Sequence, residues 1–157
     1  MDYFQGVVTE FLRADRAVFV NPECMIQLDQ AGAKKGRHWF CDVMAIKPHS
    51  RSIYLCEVTY SRTLHALLQR LGTWNSHWPE ICHAISRDNG VPADWAVRPW
   101  IFIPTECLEP YKKKLPLFVK SVDATPKMPT PRVTFLEQVA PWKYPSERTH
   151  DYVLNDA

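Results

Sequence analysis

The chain has 157 residues, 46% of them hydrophobic and 23% charged, with a net charge of +2; this suits one globular domain around a single core and excludes a disordered polar chain. No apolar run nears the roughly 20 residues that a membrane span needs, and the amphipathic, acid-bearing start MDYFQGVVTEFLRADR does not read as a secretory signal. Five cysteines scattered singly argue against a disulfide framework and for a reduced, cytoplasmic setting, while so small a charge does not by itself announce a nucleic-acid binder.

Taken in chain order, Phe4, Val7, Val8, Phe11 and Leu12 recur at helical spacing, so residues 3 to 16 read as an amphipathic helix. Asn21-Pro22 is a turn signal. MIQLD (25 to 29) reads as a short strand and AGAKKGR (31 to 37) as a loop. Two alternating apolar runs follow, strands at about 38 to 47 and 52 to 60, separated by PHSR. Leu64, Leu67, Leu68 and Leu71 form a helical stripe that Trp78, Cys82 and Ile85 extend. Residues 62 to 88 are therefore one helix kinked at Pro79 or two helices meeting there, stopped by Asp88-Asn89-Gly90.

WAVRPWIFIP (95 to 104) is the next strand, placed near an edge by Pro99. A short helix at 106 to 114, a weak strand at 117 to 122 and a helix from 131 to 140, with Thr130-Pro131 at its start, complete the reading. Prolines between 126 and 145 set residues 126 to 157 apart as a C-terminal extension to a domain spanning 1 to 125. Both faces of the 38 to 60 hairpin are apolar: Phe40, Met44, Ile46, Ile53 and Leu55 on one, Cys41, Val43, Ala45, Cys56 and Val58 on the other. Such a sheet needs a layer on each side, so the class is α/β, a central mixed β-sheet flanked by helices.

Each strand of that hairpin carries one acid. If PHSR is a four-residue loop, Lys47 pairs with Ser52 and Asp42 falls opposite Glu57, about 5 Å away at Cβ. Two bare carboxylates there repel; a divalent cation, a shared proton or basic neighbours must hold them. A hard cation such as Mg²⁺ suits two carboxylates, since it keeps several waters. A lone acid would read as a strand-end residue satisfied by an amide or an arginine. Two that face each other inside apolar strands favour a function.

The glycine, then Asp-Val-Met-Ala in one strand and Ile-Tyr-Leu-Cys-Glu-Val-Thr in the next, resembles the PD-(D/E)XK nuclease superfamily, in particular its small members related to Holliday-junction resolvases and restriction endonucleases. The resemblance covers about residues 3 to 105, and the motif is short; the matching element order αβββαβ, the restriction-endonuclease-like core, strengthens it. It implies a Mg²⁺- or Mn²⁺-dependent nuclease acting on DNA rather than RNA, with a homodimer as the family's model. Asp42 matches the metal-binding aspartate and Glu57 the glutamate of the E-x-K element. Glu10 matches an acid that some members supply from the first helix, or is a solvated helix residue. Gln69 is a weaker match to a glutamine on the following helix.

Thr59 stands where the family has a lysine that orients the attacking water. A hydroxyl can bind a water but brings no positive charge. Arg62 beyond the strand, or Lys34, Lys35 and Arg37 in the preceding basic loop, are the candidate replacements and the candidate phosphate contacts; Lys47 falls on the wrong face. The resemblance thus implies either a nuclease with a relocated cation or a silent nuclease fold serving as a binding or interaction module; the third alternative is an unrelated small α/β binding domain, in which residues 42 and 57 would lie far apart. Elsewhere, His77, Cys82 and His83 lack zinc spacing. The thiols read as core residues, and the lysines of YKKK (111 to 114) as solvated surface. Trp74, Trp78, Trp95 and Trp100 read as packing residues unless one is exposed to stack on a base.

Overall fold

A computed structural model describes residues 2–29 and 36–139. The first helix, α1 (Tyr3–Arg13), begins at Asp2. The Asp2 carboxylate accepts the Gln5 amide at 2.8 Å, and the Gln5 side-chain oxygen accepts the Asp2 amide at 3.2 Å, a reciprocal box that satisfies donors the helix itself cannot. Strands β1 (Phe19–Gln27), β2 (His38–Lys47) and β3 (Ser52–Val58) follow, then helices α2 (His65–Ser76) and α3 (Trp78–Asn89). Strand β4 (Ala96–Ile103), helix α4 (Leu108–Phe118) and strand β5 (Arg132–Phe135) complete the order. The strands form one mixed sheet in chain order: β1, β2 and β3 are antiparallel, β4 is parallel to β3 and β5 to β4.

Both faces of the sheet are covered, as the two apolar faces require. On one, Val8, Phe11 and Leu12 of α1 meet Val43, Ala45, Cys56, Trp100 and Phe102. On the other, Leu67, Leu68, Leu71 and Trp74 of α2, with Ile81 and Ile85 of α3, meet Met44, Ile53, Leu55 and Ile101. The protein is an α/β protein with a five-stranded mixed sheet between helices. Among the described residues no helix is long and apolar enough to cross a membrane.

The hairpin register is the one a four-residue loop demands, Lys47 opposite Ser52, with Arg51 in the left-handed region at φ 50° closing the turn. The leucine stripe holds, since Leu64, Leu67, Leu68 and Leu71 are all buried. It ends at His77 because Pro79 has no N–H for the carbonyl four residues back, so a second helix starts. Gly90, at φ 64°, terminates α3 as the Asp-Asn-Gly signal implies.

Other expectations fail for tertiary reasons. Asn21-Pro22 is no turn: both residues lie in β1, on the edge of the sheet, where a missing N–H is tolerated. β4, by contrast, does lie near an edge as Pro99 implies, one strand in from β5, and β5 pairs only from Trp100 onward. Residues 117 and 118 end α4 instead of opening a strand. The segment after Pro131 is not a helix: Arg132–Phe135 extends the sheet, and only Leu136–Gln138 turns, as a 3₁₀ helix. The open edge of β4 outweighs the capping signal, with Val133 buried and the Trp100 indole N–H donating to Thr134 Oγ1 at 2.8 Å. The fifth strand therefore comes from the proline-rich segment after residue 125.

A close contact at a helix glycine gives a stability test. A Cβ on Gly72 would sit 2.8 Å from the Phe118 carbonyl oxygen, where α2 meets α4. Alanine favours a helix interior by about 1 kcal/mol over glycine, yet overpacking of this kind costs about 1–3 kcal/mol. Gly72→Ala should therefore lower the urea midpoint; an unchanged or raised midpoint would show that α4 yields freely.

Candidate functional site

The two acids meet at a fork. β3 pairs with β2 from Lys47 back to Val43, and there the ladder ends. At the same level both β1 and β2 exchange faces. Val43 and Ala45 pack under α1, whereas Cys41 packs on the α2 side beside Met44. On β1, Val20 lies on the α1 side and Cys24 and Ile26 on the other, with Glu23 between them at φ 53°. This corrects strict alternation along 38–47: Cys41 joins the Met44 face, and Phe40 is 54% exposed. A residue in the left-handed region rotates the strand, as a bulge does. Asp42, beside that rotation, is aimed into the gap instead of onto either face.

The Asp42 carboxylate fills the gap. Its Oδ2 accepts the Val58 amide at 2.9 Å, taking the place of a strand carbonyl, and its Oδ1 accepts the Gln5 side-chain amide of α1 at 2.9 Å. Glu57 continues the Ile53–Leu55 face of β3 and is 4% exposed. Arg70 of α2 reaches down to it: its Nη1 donates to Glu57 Oε2 at 2.6 Å and lies 4.0 Å from Asp42 Oδ1. Glu57 Oε1 is buried and takes no hydrogen bond from a donor group. Burial above all, and then the Asp42 charge, push the Glu57 carboxyl well above the usual carboxylate range; Arg70 opposes them.

These side chains line a cavity of about 180 Å³, together with Thr59, Ala66 and Leu67. Thr59 keeps to the chain: its amide donates to the Phe102 carbonyl at 3.1 Å, and its hydroxyl accepts the Ser61 amide at 3.1 Å. The hydroxyl proton remains available to the cavity. Leu64, with φ 57° and its side chain buried, then redirects the chain into α2, which brings Arg70 over the acids.

The other candidate residues are not gathered here. Glu10 is exposed on α1 and pairs with Arg13 at 3.1 Å; α1 contributes Gln5 instead. Arg62 is 85% exposed and pairs with Glu106 at 3.3 Å. Arg37 is held by Asp29 and Glu80, at 3.1 and 2.8 Å, while Lys34 and Lys35 lie outside the described residues. Gln69 is exposed and lines a neighbouring cavity. Cys41 and Cys56 are fully buried, and desolvation raises both thiols well above their usual range. Sequence reasoning missed Arg70 and Gln5. Arg70 follows Leu67 by three residues and borders the buried Leu67–Leu71–Trp74 stripe, which places its guanidinium at the rim of the core. Gln5 is legible only as the third residue of a capping box.

The donor set accommodates a hard cation. Two carboxylates converge, one oxygen is buried without a hydrogen bond, and the cavity has room for the waters that Mg²⁺ retains. Among the described residues no group of three or more His, Cys, Asp or Glu could hold a metal, so water would have to complete the shell. Asp42 and Glu57 would hold such an ion, with Arg70 bordering it.

In metal-free buffer the buried acid makes stability pH-dependent. Its folded pKa lies above the ordinary 4.5, so its contribution is complete below that value and is lost as pH rises through the folded pKa. Wild type should therefore lose stability relative to Glu57→Gln as pH rises above 4.5, in urea titrations run with chelator. A difference that is flat with pH would overturn this. Comparison of the sequence with protein-family models, and with curated proteins, finds no match to any.

Proposed function

We propose that the protein is a divalent-metal-dependent phosphodiesterase of the PD-(D/E)XK type that acts on nucleic acid, DNA before RNA. Asp42 and Glu57 hold the ion, and Arg70 supplies the charge that Thr59 lacks. One observation carries the reading: two carboxylates from adjacent strands and a guanidinium from the next helix converge on one cavity at the end of a ladder. The order of a helix, a three-stranded meander, a helix pair and a strand parallel to β3 supports the restriction-endonuclease-like core.

A bound Mg²⁺ or Mn²⁺ would polarise the phosphate and lower the pKa of the attacking water. The protein's own groups do the rest. Gln5 and the Val58 amide fix the Asp42 carboxylate, so no reorganisation is needed when charge develops. Arg70, 42% exposed, keeps several of its five N–H donors for a phosphate oxygen. Thr59 offers its hydroxyl proton to a water in the cavity.

Arg70 also favours a second reading. Its 2.6 Å contact with Glu57 compensates the acid without any ion, which is what a silent binding module of this fold would need. Metal binding separates the two. An ion that binds only the folded chain raises its melting temperature by mass action. Mn²⁺ should stabilise wild type and fail to stabilise Asp42→Asn; no shift in wild type would favour the silent module.

Cleavage is the second test. Asp42→Asn and Glu57→Gln should abolish Mn²⁺-stimulated hydrolysis of labelled DNA while the chain stays folded. Arg70→Ala should lower the rate about 10²- to 10³-fold, with partial recovery in Arg70→Lys. Cleavage that persists in both acid variants would reject the assignment.

A further inference from the structure

Aromatic rings flank the acidic cavity on two sides, Tyr60 and Phe40 exposed and Phe4 and Trp39 half-buried. On the α1 side Phe4 and Tyr60 stack, with ring centroids 4.5 Å apart and planes 6° from parallel. Tyr60 is 60% exposed. Phe4 adjoins Gln5 and Tyr60 adjoins Thr59, and both of those neighbours line the acidic cavity. On the other side a second cavity, of about 300 Å³, shares Ala66 and Arg70 with the first. Its walls carry Trp39, Phe40 and Gln69, with Phe40 54% exposed and the Trp39 ring set edge-on against His77 at 5.3 Å. This second cavity follows from the fork, since β2 runs on past the last β3 pairing at Val43.

Rings on both sides of a phosphate-binding centre suit one kind of occupant. Bases in a duplex cover each other's faces and offer only edges in the grooves, whereas an unpaired base offers both faces to an aromatic ring. Gln69 adds an amide that can pair with a base edge, and Arg70 stands at the wall common to both cavities, where it can hold the phosphate between them. An apolar protein surface laid over the same patch would leave the Gln69 amide and the Arg70 N–H groups unpaired.

We infer that the site takes a strand of unpaired nucleotides, with bases stacked on Phe4–Tyr60 to one side of the scissile phosphate and on Trp39–Phe40 to the other. This rests on the phosphodiesterase reading and narrows its substrate class to single-stranded nucleic acid or a single-stranded segment of a longer one.

The test measures binding apart from cleavage. The full chain is titrated, in Ca²⁺, against labelled oligothymidylate about sixteen nucleotides long and against a blunt duplex of that length. Wild type should bind the single strand at least about tenfold tighter, and Phe40→Ala and Tyr60→Ala should each weaken that binding on the order of 5- to 100-fold with duplex binding unchanged and the chain still folded by circular dichroism. Phe40→Leu, which keeps the apolar bulk, should lose binding too if stacking is the cause. Equal or tighter duplex binding, or aromatic variants that bind normally, would overturn the inference. So would sedimentation showing a dimer that Phe40→Ala splits without loss of strand binding, because the rings would then cover a second copy of the chain. Asp42→Asn distinguishes the two proposals: single-strand binding that survives without cleavage sustains this one, and wild type that binds single strands but never cleaves sinks only the phosphodiesterase.

Discussion

The hydrogen bond from the Val58 amide to the Asp42 carboxylate, at 2.9 Å, holds the fork between β2 and β3 together. Where two strands part, the next amide has lost its ladder carbonyl and must find another acceptor or bear the cost of desolvation. A side-chain oxygen provides one and lets the strands diverge. Everything at the site is arranged around that replacement. β2 can rotate through Asp42 and keep its register with β1, β3 can follow β4, and the space between becomes a cavity with an acid already fixed in its wall.

Electrostatics at this point is a contest among burial, like charge and one guanidinium. Glu57 is taken out of water by the same sheet that fixes its position, and Asp42 adds a repulsive neighbour. Arg70 offsets part of both terms but reaches only one oxygen of Glu57 directly. A buried carboxylate with a half-exposed cation beside it is a poor stabilising pair, because desolvation takes back much of the Coulombic gain. Such a pair costs the fold something, which argues for a use other than structural.

How much of this was legible differs from residue to residue. The Asp42–Glu57 juxtaposition followed from loop length and a period of two, both local rules, and the hairpin register obeys them. The face exchange at Glu23 and Asp42 did not, because it depends on a backbone rotation that no residue type at those positions signals. Arg70 was hidden for another reason: helical spacing marks the rim of a stripe but not what lies across from it. β5 was misread because Thr130-Pro131 is a sound local start for a helix, while an exposed strand edge some thirty residues upstream in the chain decides the outcome.

That last strand has a consequence for biosynthesis. Until residues 132 to 135 emerge from the ribosome, β4 presents its outer edge from Trp100 to Ile103 with no partner, an apolar row of the kind that recruits other chains. The nascent sheet is thus complete only when nearly the whole described chain has been made, and the intervening α4, with its three consecutive lysines, is the piece that accompanies that exposed edge while it waits.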